Sequence, residues 1–134
     1  MRTHFLNKLS IAGREKVLAL EPEFDFYKAG EVSSLTIDFR TSEFPSISMT
    51  LDYTAEGRRF QLMMQLDGVR ELVLPKMTPF LFLPELEIED VKGRMMEGIR
   101  FEVVSHFERS FICACEDIVV LEFRPLSGGT PIPG

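Results

Sequence analysis

The 134-residue chain has no tryptophan, only two histidines and only two cysteines. Each scarcity narrows its chemistry. His4 and His106 supply too little imidazole for a zinc site, which usually takes four ligands. Cys113 and Cys115 sit two apart on one expected strand, where a bridge between them would be strained. Buried free thiols packing as small hydrophobes are expected there. No apolar run approaches the roughly 20 residues that cross a bilayer. Residues 1–13 lack the continuous apolar centre of a secretory signal, so cytoplasmic residence is expected. Neither G-x-G-x-x-G nor G-x-x-x-x-G-K occurs, which removes the usual phosphate cradles. Ser105 and His106 are neighbours on an expected strand, so their side chains point to opposite faces and form no dyad. No enzymatic activity and no cofactor is expected.

What the chain has instead is phenylalanine, methionine and alternation. Twelve Phe and seven Met point to a phenylalanine core with methionine as adaptable filler. A content of 45% hydrophobic and 27% charged residues is that of a globular protein. At this length folding buries roughly two thirds of the unfolded surface, enough for one domain without disulfide or metal. That domain is expected over residues 1–125, with residues 126–134 (ending SGGTPIPG) as a flexible tail. Fifteen basic against twenty-one acidic residues give a net charge of −6, which repels nucleic acid and anionic lipid. A basic protein partner suits that field better.

Apolar residues recur at every second position in Leu35-Ile37-Phe39, Ile47-Met49-Leu51-Tyr53, Leu86-Ile88, Phe101-Val103 and Phe111-Cys113-Cys115. A period of two marks strands with one buried face. The expected fold is all-β: a two-sheet sandwich or flattened barrel of seven to nine mostly antiparallel strands, with one short N-terminal helix as an option in residues 10–20. A four-residue loop from Thr54 to Gly57 would pair Tyr53 with Arg58, Leu51 with Phe60 and Met49 with Leu62. Asp67-Gly68 reads as a second hairpin turn, followed by a bulge near Arg70-Glu71. Pro75, Pro79 and Pro84 bound a segment that crosses an edge or joins two sheets. Residues 111–123 read as one strand with a bulge at Glu116-Asp117, apolar on both faces in its first half. Such a strand is expected to be central, its second face covered by the N-terminal segment, the proline-rich connection or another subunit.

The candidate site is acidic. Glu85, Glu87 and Glu89 share one expected strand face, Glu102 lies on the next strand, and Met95 and Met96 crown the loop between them. Carboxylates so grouped can hold a divalent cation, act as general acid and base, keep a sheet face solvated, or receive a cationic partner. A partner surface made of Glu85, Glu87, Glu89, Glu102, Met95 and Met96 is the leading expectation. A self-associating homodimer through a bare edge comes second, and a metal-binding or hydrolytic enzyme third.

The order Gly68-Val69, Leu72-x-Leu74, Leu86-x-Ile88, Gly98-x-Arg100-Phe101-x-Val103, Phe111-x-Cys113 and Asp117-Ile118 resembles small bacterial all-β proteins of unknown function. Some of these look like the immunity proteins that accompany polymorphic toxins. The likeness spans roughly residues 47–123 and rests on hydrophobic spacing and turn residues. It implies a non-enzymatic protein that binds and blocks a cognate toxin, and it transfers no site residues.

Overall fold

Among the described residues the alternating segments form ten strands in two antiparallel five-stranded sheets that stack without closing into a barrel. The computed structural model describes residues 2–40, 43–76, 81–92, 98–105 and 111–126. In chain order the first five strands are β1 (Arg2–Thr3), β2 (Glu31–Asp38), β3 (Ser46–Ala55), β4 (Arg58–Asp67) and β5 (Glu71–Val73). The others are β6 (Leu81–Phe82), β7 (Leu86–Asp90), β8 (Phe101–Ser105), β9 (Phe111–Cys115) and β10 (Asp117–Pro125). The first sheet has the order β1-β7-β8-β9-β5 and the second β10-β4-β3-β2-β6. Eight of the ten strands are longer than two residues, within the expected seven to nine; β1 and β6 are two-residue additions.

The core is where the two inner faces meet. Ile47, Met49, Leu51 and Tyr53 of β3 and Leu62, Met64 and Leu66 of β4 are fully buried on one side. Leu86, Ile88, Phe101, Val103, Phe111 and Cys113 are fully buried on the other. Each aliphatic or aromatic side chain so buried is worth about 1.5–3 kcal/mol relative to exposure. Of the adjacent methionines, Met64 faces this core and Met63 the outside.

Three local expectations are corrected. The first hairpin pairs Tyr53 with Phe60, Leu51 with Leu62 and Met49 with Met64, two residues away from the expected register. Its turn is the pair Glu56-Gly57, with φ of 54° and 79°. Both central residues in the left-handed region define the two-residue turn whose twist matches the flanking strands, and glycine takes the second position without strain. A two-residue slip leaves every side chain on its original face, so alternation alone cannot distinguish the two registers.

Asp67-Gly68 is not a hairpin turn. There the chain leaves β4 in the second sheet for β5 in the first. The same holds for Glu116, where residues 111–123 divide: β9 pairs with β8 in the first sheet, and β10 pairs with β4 in the second. The two crossings lie side by side, joined by Arg70 N–H to the Ala114 carbonyl (2.8 Å) and Glu116 N–H to the Asp67 carbonyl (2.9 Å). A local irregularity does occur in β10, but at Val120–Glu122. The second half of this segment is therefore an edge strand, not a central one. The proline-bounded segment does join the sheets, running from β5 to β6; residues 77–80 within it lie outside the described residues, as do residues 106–110 and the tail from Ser127.

The first thirty residues act as a strap. β1 pairs with β7 at one end of the first sheet. Further on, Ala12 bridges Val119, and Val120 N–H donates to the Ala12 carbonyl at 2.8 Å, so the strap covers the β10 edge rather than a sheet face. The helical option reduces to α1 (Glu15–Leu18). Gly13, at φ 83°, precedes it, and a Cβ there would overlap the Val120 carbonyl oxygen. Residues 21–27 hold no strand; Phe24 and Phe26 plug the core end instead, with Phe24 stacked on Tyr53 at 4.3 Å.

Candidate partner-binding face

Outward-pointing residues of the first sheet fall into two rows that cross its strands. One row runs Glu87, Val104, Ile112, Val73 and the other Glu89, Glu102, Ala114, Glu71. Glu89 and Glu102 are direct cross-strand partners. Like charges facing each other in a ladder are destabilising, so this pairing needs compensation. Arg2 provides part of it: β1 sets it opposite Glu89, with its guanidinium 3.6 Å from the carboxylate. Glu89 is itself 6% exposed. Glu87 accepts a hydrogen bond from the Tyr27 hydroxyl.

Glu85 does not belong to this row. It precedes β7 with φ 55°, which takes it out of the strand's alternation. Glu85 is exposed and Glu102 half-buried. Met95 and Met96 lie outside the described residues, as does His106. Among the described residues no group of three or more histidine, cysteine, aspartate or glutamate side chains converges as metal ligands would. Within the same residues no helix is long and apolar enough to cross a membrane.

The outer face of the second sheet is different in kind. Ser34, Thr36, Ser48, Thr50, Gln61 and Gln65 make its middle neutral and polar, while Glu31, Asp38, Asp52, Asp67, Asp117 and Glu122 carry charge around them. On the first sheet the outward carboxylates lie beside an aliphatic row. There Val104 and Ala114 are buried, Ile112 is half-buried and Val73 is exposed.

A second cluster escaped the sequence reading. His4 Nδ1 lies 2.6 Å from Asp25 Oδ1, and the imidazole stacks on Tyr27 with ring centroids 3.7 Å apart. Asp25 also accepts the Tyr27 backbone N–H at 2.9 Å, capping the short 3-10 turn at Phe26–Lys28. Phe26 N–H to the His4 carbonyl (2.7 Å) fixes the same two segments. These contacts clamp the strap beside β7. The local signal was Asp25 two residues before Tyr27, an Asx cap; its partner His4, 21 residues away, carried none.

The Tyr27 hydroxyl is pushed up to about 12, first by its hydrogen bond to Glu87, then by burial and by the charges of Glu87, Glu85 and Asp25. A raised folded value means stability held below the unfolded value near 10 and lost as pH climbs to about 12. The stability difference between the wild-type chain and Tyr27→Phe should therefore be constant below pH ~10 and close between ~10 and ~12. Alkaline unfolding curves of both proteins measure it, and a constant gap through pH ~12 would contradict the Tyr27–Glu87 bond.

Ser105 and the cysteines lie on the inner face of the first sheet. Ser105 is fully buried and donates to the Pro84 carbonyl at 2.5 Å. Cys113 and Cys115 are free and fully buried on one face of β9. The Cys113 sulfur beside it, and then burial, push the Cys115 thiol far above its ordinary value. Both sulfurs are shut off from solvent, so neither group should react with a thiol-specific disulfide reagent in the native protein. Two equivalents are expected to appear only on denaturation; rapid native labelling would show the strand to be open.

No protein-family model, no curated protein and no solved structure matches this chain.

Proposed function

We propose that this chain is a non-enzymatic, cytoplasmic protein-binding module that receives a basic protein on the outer face of its first sheet. The carrying observation is the cross-strand Glu89–Glu102 pair, two like charges held opposite each other beside an aliphatic row. A lysine or arginine docked against Glu102 relieves that repulsion, while Ile112 and Val73 offer apolar area next to it. Exposed ion pairs contribute about 0–1 kcal/mol each, whereas complete burial of an aliphatic side chain contributes about 1.5–3. The aliphatic row therefore supplies affinity, and the carboxylates supply partner choice and association rate. Two buried, unbridged thiols suit a reducing compartment. A basic toxin blocked by a bacterial immunity-type inhibitor is the partner that the resemblance implies.

The geometry decides which residues to change. Glu89 holds Arg2 and Glu87 holds Tyr27, so reversing either disturbs the strap. Glu71 and Glu102 point outward from β5 and β8. In affinity capture from native extract, the wild-type chain should retain a basic protein at low salt and lose it at high salt. Glu71→Lys with Glu102→Lys should fold normally and lose that protein. Equal capture by both removes this face from consideration.

A further inference from the structure

The strap reaches both outward carboxylates of β7. The Tyr27 hydroxyl donates to Glu87, and Arg2 stands opposite Glu89 with its guanidinium 3.6 Å from the carboxylate. The two contacts are anchored differently. Tyr27 belongs to the clamp: its ring stacks on His4, and Asp25 caps its backbone N–H. Arg2 lies outside the clamp, two residues before His4, on a strand whose ladder partners are Glu89 and Ile88. Its side chain is 36% exposed, against 8% for that of Glu89. β1 can therefore lift from β7 while the strap from His4 onward stays in place. Along the row, Arg2, Glu89 and Glu102 stand on three successive strands, one cation beside two carboxylates.

We infer that Arg2 is an internal competitor for the acidic row, holding on Glu89 the place that a lysine or arginine of a basic partner takes when β1 lifts. The inference rests on the outer face of the first sheet being the partner's site, and adds that the chain regulates that site itself. A cation on Glu102 alone leaves Glu89 with Arg2. A partner with two neighbouring basic residues fits better, since one meets Glu102 and the other replaces Arg2. Competition is reciprocal: whatever loosens β1 tightens partner binding, and the partner loosens β1 by the same factor. The largely buried Glu89 is never left bare in this exchange, because one cation leaves as the next arrives.

Fluorescence titration with a labelled hexalysine peptide at low salt tests the inference. Arg2→Ala should bind the peptide about two- to fivefold more tightly than the wild-type chain, the range that a partly exposed ion pair spans. Arg124→Ala removes the same charge from the second sheet and should change affinity far less. Both arginines are at least a third exposed, so these two variants should melt close to the wild type. Glu89→Gln keeps the side chain's shape without its charge; adding Arg2→Ala to it should bring no more gain than Arg124→Ala does. Equal gains from Arg2→Ala and Arg124→Ala, or a full Arg2→Ala gain that persists beside Glu89→Gln, overturn the inference. The face itself is read separately, from Glu71→Lys with Glu102→Lys, which should lose the peptide. Where that variant loses the peptide and Arg2→Ala brings no gain, the face stands and the competition falls. Undiminished binding by that variant, or no binding by any of the proteins, overturns both.

Discussion

Phe24→Ala is expected to cost about 3–5 kcal/mol, a large part of the roughly 5–15 kcal/mol that holds a domain together. The ring is fully buried, stacked on Tyr53 and edge-on to Phe26 at 5.0 Å and to Phe123 at 5.8 Å. Tyr53 belongs to β3 and Phe123 to β10, so one side chain from the strap joins two strands of the second sheet. Deleting it removes burial and leaves a cavity that those two strands cannot close without breaking their pairing with β4. The loss reaches the strap as well, since the Phe24 carbonyl accepts the Leu6 N–H at 3.2 Å. Urea unfolding of Phe24→Ala and Phe24→Leu measures it, with leucine recovering part of the stability. A cost below about 1 kcal/mol for alanine would show that the strap is not part of the core.

Arg70→Ala is expected to cost about 2–3 kcal/mol through the corner where both crossings meet. The Arg70 guanidinium lies 2.7 Å from Glu116 Oε2 and donates to the Gly68 carbonyl at 3.0 Å. It also covers the Phe44 ring at 3.5 Å from the centroid and packs against Gly98, where a Cβ would have no room. One side chain thus ties the start of β5 to the end of β9 and to the loop before β3. The pair is only partly buried, which sets the value below that of a fully desolvated ion pair. A planar fork makes these contacts together and an ammonium does not, so Arg70→Lys should recover less than half. Thermal unfolding of the three proteins decides; full recovery by lysine would mean that charge alone matters.

How far the sequence reached follows from what alternation can encode. It identified strand faces correctly for β3, β4, β7, β8 and β9, because a period of two is local. It missed the hairpin register because a two-residue slip conserves faces. It also misread residues 111–123. Cys115 and Ile118 point inward with Glu116 and Asp117 between them, and that pattern is shared by a bulge within one sheet and a crossing between two. Only the partner strands distinguish the two, and those lie far away in sequence. The candidate face was legible in part. Glu87, Glu89 and Glu102 do share an outer face, while the left-handed backbone at Glu85 had no signal in its residue type. Tyr27 and Arg2 were absent from the reading because they reach β7 from 60 and 87 residues away, over a strap with no regular period.

The most direct test of the proposed function is carboxylate footprinting of the chain with and without its captured basic partner. Carbodiimide labelling reports each carboxylate separately. Glu71 and Glu102 should lose reactivity in the complex, while Glu31 and Asp38, on the second sheet, keep theirs. Protection of the second sheet with Glu71 and Glu102 unchanged would contradict the assignment of the partner to the first sheet's outer face.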